Sequence, residues 1–302
     1  MNPYDARRVL LVTCAALPDG EPGGQALLDA LARRGIAARW VAWDDLSVDW
    51  ADGLVCVRAT WDYDTRRDEF LSWAGAVPWL LNSAAVFAWN TDKAYLVGLG
   101  REVPVVPTVV ADGEEDLPAA IAEACSTPDG VAGAVVKPRV GAGGRGVTLF
   151  PSAGLGTSDL ADGGPAGLDE SGLEPGPWIV QPLVGSVRTE GETSVYVIDG
   201  EVVSQFQKQP AAGEIRVHEQ YGGRTVAVTV TDEAADLARR TVLAAERILD
   251  CRLDYARVDC MRPADGTLAV SELEVTEPGL YLDVAATNAE PFAELVSARL
   301  GE

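Results

Sequence analysis

The hydrophobic pattern of the chain changes period several times. Residues 7–14 (RRVLLVTC) form an apolar run of strand length, followed by a polar turn through Asp19, Gly20, Gly23 and Gly24. In the next stretch, QALLDALARRG, Leu27, Leu28, Leu31 and Ala32 recur on one helical face before Gly35 stops the pattern. Strand-like runs return at 37–43 and 54–59. Such alternation predicts a parallel α/β sheet, here a Rossmann-like N-terminal unit of about 85 residues. Further on, Thr231 stands as an N-cap before Asp232 and Glu233, and Leu237, Ala244, Ala245 and Ile248 share a face. That predicts an amphipathic helix over 231–249. The segment 152–176 is rich in Gly, Ser, Asp and Pro without any period and reads as a mobile loop or insertion.

A chain of 302 residues, 47% hydrophobic, fills more than one compact unit. Its 46 acidic residues against 24 basic ones leave a net charge of −22, which repels nucleic acid and anionic membranes. Five cysteines without a CxxC pair suggest reduced, buried thiols in a cytoplasmic protein. No apolar run approaches the ~20 residues of a membrane span, and no signal-peptide pattern opens the chain. Only three of the basic residues are lysine: Lys93, Lys137 and Lys208.

Ala134-Val-Val-Lys137-Pro-Arg-Val-Gly141-Ala-Gly143-Gly144-Arg145-Gly146 contains a literal GxGxxG. A dinucleotide fold needs a helix after these glycines. Here VTLF follows, a strand, so the segment is expected to be a hairpin with a glycine-rich tip. Such a flap can fold its backbone N–H groups over phosphates, with Lys137 adding a point charge. A second constellation is Asp259 in one strand pattern and Glu272-Leu-Glu274 in the next, joined by a turn over 263–266. Glu272 and Glu274 project from one face, with Cα atoms about 6.5–7 Å apart. With Asp259 they offer three hard oxygen donors suited to Mg²⁺ bridged to phosphates. Arg58-Ala-Thr60-Trp61-Asp62-Tyr63 follows a strand end, where open α/β sheets carry ligand loops. Arg58, Thr60, Asp62 and Tyr63 are therefore expected to face the cleft and meet the substrate.

In this order the motifs resemble the ATP-grasp superfamily, in particular its bacterial glutathione synthetase-like branch. That branch includes the cyclo-ligase that closes O-ureido-serine to cycloserine. The likeness extends over about residues 80–285. It includes the strand Trp178-Ile-Val-Gln181-Pro182-Leu183-Val184, the entry Asn82-Ser-x5-Trp89-Asn-Thr-Asp-Lys93 and the loop Arg216-Val-His218 followed by Gly222-Gly223. Glu274 stands where the family commonly has Asn, and His218 replaces the Asn of the substrate loop.

The resemblance implies an N-terminal α/β domain (1–88), a central lobe with the flap (89–180) and a C-terminal lobe with the metal site (181–302). Fold class is thus α/β plus α+β, with a two-lobed ATP-grasp fold behind the Rossmann-like domain. It implies ATP held by Lys93, Lys137, Gly141, Gly143, Gly144 and Arg145, with adenine at Gln181–Val184. Glu192 would meet ribose or nearby polar groups. Lys208 would reach phosphates or the acyl substrate, and Arg216 the transferring phosphoryl group. His218 would contact substrate or carry a proton, and Gly222 and Gly223 would line the substrate loop. The implied reaction is carboxylate activation as an acyl phosphate, then attack by a nitrogen, with release of ADP and phosphate. Implied partners are a small carboxylate and an amine, with no nucleic acid, no membrane, and homo-oligomer formation left open. Intramolecular ring closure, and a nucleotide-binding regulator without catalysis, are the alternatives.

Overall fold

Strands that run parallel need cover on both faces, and two of the first three in this chain are apolar on both. In the computed structural model, which describes residues 8–151 and 173–301, β1 (Arg8–Thr13) leads through α1 (Gln25–Arg33) to β2 (Ala37–Ala42) and then β3 (Leu54–Ala59). These form a parallel sheet in the order β2-β1-β3, and every residue of β3 is buried. Helices α2 (Arg67–Ala76), α3 (Ser83–Asn90) and α4 (Tyr95–Leu99) carry the chain out of this domain.

A four-stranded antiparallel sheet follows. It is built from β4 (Val109–Ala111), β5 (Gly133–Pro138), β6 (Thr148–Pro151) and β7 (Trp178–Pro182), ordered β4-β7-β5-β6 with α5 (Leu117–Cys125) packed on it. Most of the loop expected at 152–176 lies outside the described residues. Residues 180 and 181, between which the sequence suggests a boundary, both lie inside β7.

The third sheet is β10-β9-β8-β11-β12. Its strands are β8 (Glu192–Ile198), β9 (Glu201–Gln209), β10 (Arg224–Val228), β11 (Tyr255–Met261) and β12 (Ala269–Glu274). Helix α6 (Asp232–Leu249) covers it, with the Thr231 hydroxyl accepting from Ala234 N at 3.4 Å. Leu237, Ala244 and Ala245 are buried as the period requires, but Ile248 is 42% exposed. Ile248 sits in the last turn, and periodicity assigns a face without saying how far the covered surface extends.

Helix α7 (Ala289–Arg299) returns to the N-terminal domain. Its Phe292, Leu295 and Val296 share an apolar cluster with Val9, Leu11, Leu27 and Leu31. Beta-strand edges need partners for their backbone groups, and β12 lies at the sheet's end. Asn90 Nδ2 donates to Leu273 O at 2.6 Å, and Asn90 Oδ1 accepts from Val275 N at 3.1 Å. The Tyr95 hydroxyl both donates to and accepts from the Leu273 backbone at 2.8 Å. Asn82 completes the seam by donating to Tyr255 O and Val275 O, each at 2.8 Å. The Asn-rich segment before Lys93 thus holds β12, and with it Glu272 and Glu274, in place. All five cysteines are free, and Cys14, Cys56 and Cys260 are buried.

Candidate active site

A cavity of about 340 Å³ lies between the four-stranded and five-stranded sheets, closed on the third side by the N-terminal domain. Its walls divide by chemistry. Val135 on β5, Leu183 and Val187 after β7, Ile215, Val217 and Met261 make an apolar slot. Lys137 is two residues beyond Val135, so strand alternation puts it on the same face, at the slot's margin. It donates to Gln181 Oε1 at 2.8 Å, and burial pushes its pKa down. Gln181 is fixed in turn by donating to Thr108 Oγ1 at 3.0 Å. Pro182, Leu183 and Val184 line the slot, but the Leu183 N–H already donates to Gly133 O at 2.9 Å and is not free for a base.

Lys93 reaches the cavity from the turn before α4. It donates to Gly141 O at 2.6 Å and pairs with Glu272 at 3.1 Å. Burial opposes its charge, but the carboxylates of Glu272, Glu274 and Glu277 together outweigh burial and raise its pKa. The next carboxylates follow from register: Asp259 lies opposite Glu272, and Arg257 opposite Glu274. Arg257 Nη2 donates to Asp259 Oδ2 at 2.8 Å and also to Glu274. Asp259 further accepts from Ser194 at 2.5 Å and from Lys208 at 3.3 Å. Burial works against its charge, yet Arg257 and Lys208 hold its pKa well below the usual carboxylate range. Lys208 pairs also with Glu192 at 2.9 Å, and Glu192 accepts from Ser271 at 3.2 Å. Burial raises Glu274 to about 7, and the charges of Asp259 and Glu272 add to it.

Among the described residues no three His, Cys, Asp or Glu side chains close on one point to hold a metal unaided. Cations separate the three expected ligands. The donor set still suits Mg²⁺, which takes one or two carboxylates and completes its shell with waters and phosphate oxygens. Glu272 and Glu274, neighbouring carboxylates on one strand that both line the open cavity, fit that use.

The flap is a β5–β6 hairpin, not the strand–helix turn of a dinucleotide fold. Gly143, Gly144 and Gly146 adopt positive φ, which side chains disfavour. The flap is held shut from two sides. Arg145 donates to Asp64 Oδ2 at 2.7 Å and to Trp61 O at 2.7 Å. Gln220 Nε2 donates to Gly143 O at 2.6 Å. Arg216 stacks on Tyr221 with its guanidinium carbon 3.6 Å from the ring centre, and its hydrogen bond to Glu214 lowers that carboxyl to about 2. His218 Nδ1 accepts from Gln220 N at 3.3 Å, capping the turn over 219–221.

The structure thus brings most of the expected positions to one cavity, but not all. Of the N-terminal set only Tyr63 lines it. Arg58 is fully buried, paired to Glu21 at 3.2 Å, donating to Pro278 O and stacked on Phe292. Thr60 is buried too, and Asp62 accepts from the Trp43 indole at 3.0 Å. Gly222 and Gly223 lie outside the lining as turn residues. Gly222 has φ +81°, and a Cβ on Gly223 would fall 2.0 Å from Val217 O. Arg257, Glu21 and Glu277 are among the lining residues that the sequence motifs do not assign to the site. Arg257 was legible, being two residues from Asp259 on the same face.

Comparison with known proteins follows the same lines. Residues 9–82 match the family model of the D-cycloserine synthetase DcsG N-terminal domain. The cycloserine biosynthesis protein DcsG of Streptomyces lavendulae is 31% identical over 290 residues, covering 91% of this chain and 92% of its own. The crystal structure of D-cycloserine synthetase DcsG superposes with a TM-score of 0.80 at 28% identity, over 97% of this chain and 99% of that one. The ATP-grasp ligase PsnB, solved with a minimal precursor, Mg and ADP, shares the fold at a TM-score of 0.60 and 19% identity, over the full length of both chains.

Proposed function

The chain belongs to the ATP-grasp ligases, in the family of the cycloserine biosynthesis protein DcsG, and from that premise we propose that it closes a ring within one small amino acid of the O-ureido-serine type. Sequence motifs alone favoured coupling of two separate substrates. The likeness to DcsG along nearly the whole chain supports the intramolecular reaction instead. So does a cavity of about 340 Å³ under a latched flap, which suits a small molecule beside a nucleotide.

In this reading the apolar slot takes the adenine, and Lys93 and Lys137 take the phosphates. Glu272 and Glu274 would hold Mg²⁺, which supplies charge neutralisation between the phosphate oxygens. Arg257 and Lys208 keep Asp259 ionised and fixed behind them. Lys93, Lys137 and Arg216 offset charge on the transferring group as the substrate carboxylate attacks the γ-phosphorus. The oxygen-bound nitrogen of the same molecule then attacks the acyl carbon and gives up its proton, the acyl carbon–oxygen bond to the phosphate breaks, and phosphate leaves. The flap excludes water from the acyl phosphate.

The observation that carries the reading is the gathering of the apolar slot, the lysines and the acidic strand pair under one closed flap. Its test is ATP-dependent phosphate release with O-ureido-serine as sole substrate, followed by mass analysis. A cyclic product formed without any added amine supports it. Phosphate release that requires a second amine, with that amine incorporated, overturns it.

A further inference from the structure

Among the cations lining the cavity, every one already has an acceptor. Lys93 holds Glu272, Lys137 holds Gln181, Lys208 holds Glu192 and Asp259, and Arg257 holds Asp259 and Glu274. Arg145 is committed to Asp64, and Arg216 to Glu214. Among the buried carboxylates of the wall this leaves one without a bonded cation. Glu277 is 7% exposed and lines the cavity, and none of the described side chains bonds its carboxylate. Burial, with the charges of Glu274 and Glu272, pushes its carboxyl up to about 8, which Lys93 and Arg257 offset only in part. A cation that arrives with a ligand and bonds it would draw off that proton and hold the carboxylate charged.

We infer that Glu277, on the cavity wall it shares with Trp61 and Tyr63, receives the ammonium group of the amino-acid substrate. The inference rests on the ring-closing reading and names the group by which that site recognises its substrate class. Three features favour an ammonium over a second metal ion. Glu277 lies past the end of β12, in the loop that runs against the N-terminal domain, rather than on the strand pair carrying Asp259, Glu272 and Glu274. Aromatic rings share its wall: the Trp61 indole N–H donates to the Glu277 backbone O at 3.2 Å, and Tyr63 lines the same cavity. Such rings attract an organic cation and add no ligand for Mg²⁺. The loop is also held rigidly, since Arg58 and Glu21 bond the backbone of Pro278 and Leu280, and Tyr196 bonds that of Gly279. A fixed carboxylate on a wall shared with two rings matches a small, rigidly placed ammonium.

The test compares wild type and Glu277→Gln on O-ureido-serine, the twenty common amino acids and the des-amino counterpart of each, by ATP-dependent phosphate release. Wild type should use an ammonium-bearing carboxylate and reject its des-amino form. Glu277→Gln should raise KM for the ammonium substrate about 100-fold, with KM for ATP, Mg²⁺ requirement and melting temperature unchanged. The two substrates should then differ little in the variant. A raised Mg²⁺ requirement, or equal losses on both substrates, overturns the inference. If another amino acid replaces O-ureido-serine as substrate, the ring-closing reading fails while the ammonium site is tested on that amino acid by the same variant. Activity only on des-amino carboxylates overturns the ammonium site alone, and an inactive panel overturns both.

Discussion

Arg58 and Glu21 form a fully enclosed ion pair at 3.2 Å, and through it the N-terminal domain holds the loop after β12. Glu21 Oε2 accepts from Leu280 N at 2.5 Å, while Arg58 donates to Pro278 O and lies over the Phe292 ring at 4.7 Å. Burial raises the Glu21 pKa, and Arg58 works against the rise. A residue at a strand end in an α/β domain is expected to meet ligand. Here it meets the C-terminal lobe instead and positions the residues that do line the cavity.

Removing one partner of a buried pair leaves the other uncompensated. Arg58→Ala should therefore cost about 3–5 kcal/mol of stability. Arg58→Met, which refills the space but also strands Glu21, should recover only part of it. The double variant Arg58→Met with Glu21→Gln should recover more. Urea unfolding measures all three, and a wild-type midpoint for Arg58→Ala would remove the pair from any structural role.

The latch between flap and N-terminal domain makes a kinetic prediction. Asp64 Oδ2 accepts from Arg145 at 2.7 and 3.0 Å and from Ala142 N at 3.3 Å, while its other oxygen is buried without a partner. Asp64→Ala should let the flap open during the lifetime of the acyl phosphate. Phosphate released per ring formed should then rise about three- to tenfold, a factor in keeping with one partly exposed ion pair and its backbone bond. Unchanged stoichiometry in the variant would show that the latch does not guard the intermediate.

Much of this architecture is legible in the sequence because it rests on short-range rules. The hairpin was readable from a strand pattern on both sides of the glycines, and the Asp259–Glu272 pairing from alternation across a turn. Arg58, Thr60 and Asp62 were not, because their environment is set by distant chain. The partners of Arg58 stand 37 and 220 residues away. A strand-end rule places a residue at the top of a sheet without saying what will cover it. Glu277 escaped notice for the converse reason. In Thr276-Glu277-Pro278-Gly279 it looks like a turn residue meeting water, and only the docking of its loop on the N-terminal domain, where Trp61 bonds its backbone, makes its burial visible.

The fate of the nucleotide follows from where the charges sit. Lys93 and Lys137 stand together near Glu272, and in the proposed reading this is where the terminal phosphates and the metal would sit. Attack at the γ-phosphorus should give ADP and inorganic phosphate in equal amounts, which phosphorus NMR can resolve. AMP and pyrophosphate would place the attack at the α-phosphorus and refute the acyl-phosphate route.

Substitutions in the carboxylate strand pair should separate metal binding from folding. Glu272 bonds Lys93 at 3.1 Å and is part-exposed to the cavity, and Lys93 keeps a second acceptor in Gly141 O. Glu272→Gln should therefore leave the melting temperature near wild type. By removing one hard anionic ligand it should raise the Mg²⁺ concentration for half-maximal activity about tenfold or more. Asp259 differs, because the buried Arg257 and Lys208 share it, each keeping one further carboxylate, Glu274 and Glu192. Asp259→Asn leaves both cations undercompensated and should cost about 3–5 kcal/mol of stability along with activity. Thermal melts and Mg²⁺ titrations on the two variants give the comparison. A wild-type Mg²⁺ requirement in Glu272→Gln would remove that residue from the metal site. A wild-type melt for Asp259→Asn would mean that Arg257 and Lys208 find their compensation in Glu192 and Glu274 alone.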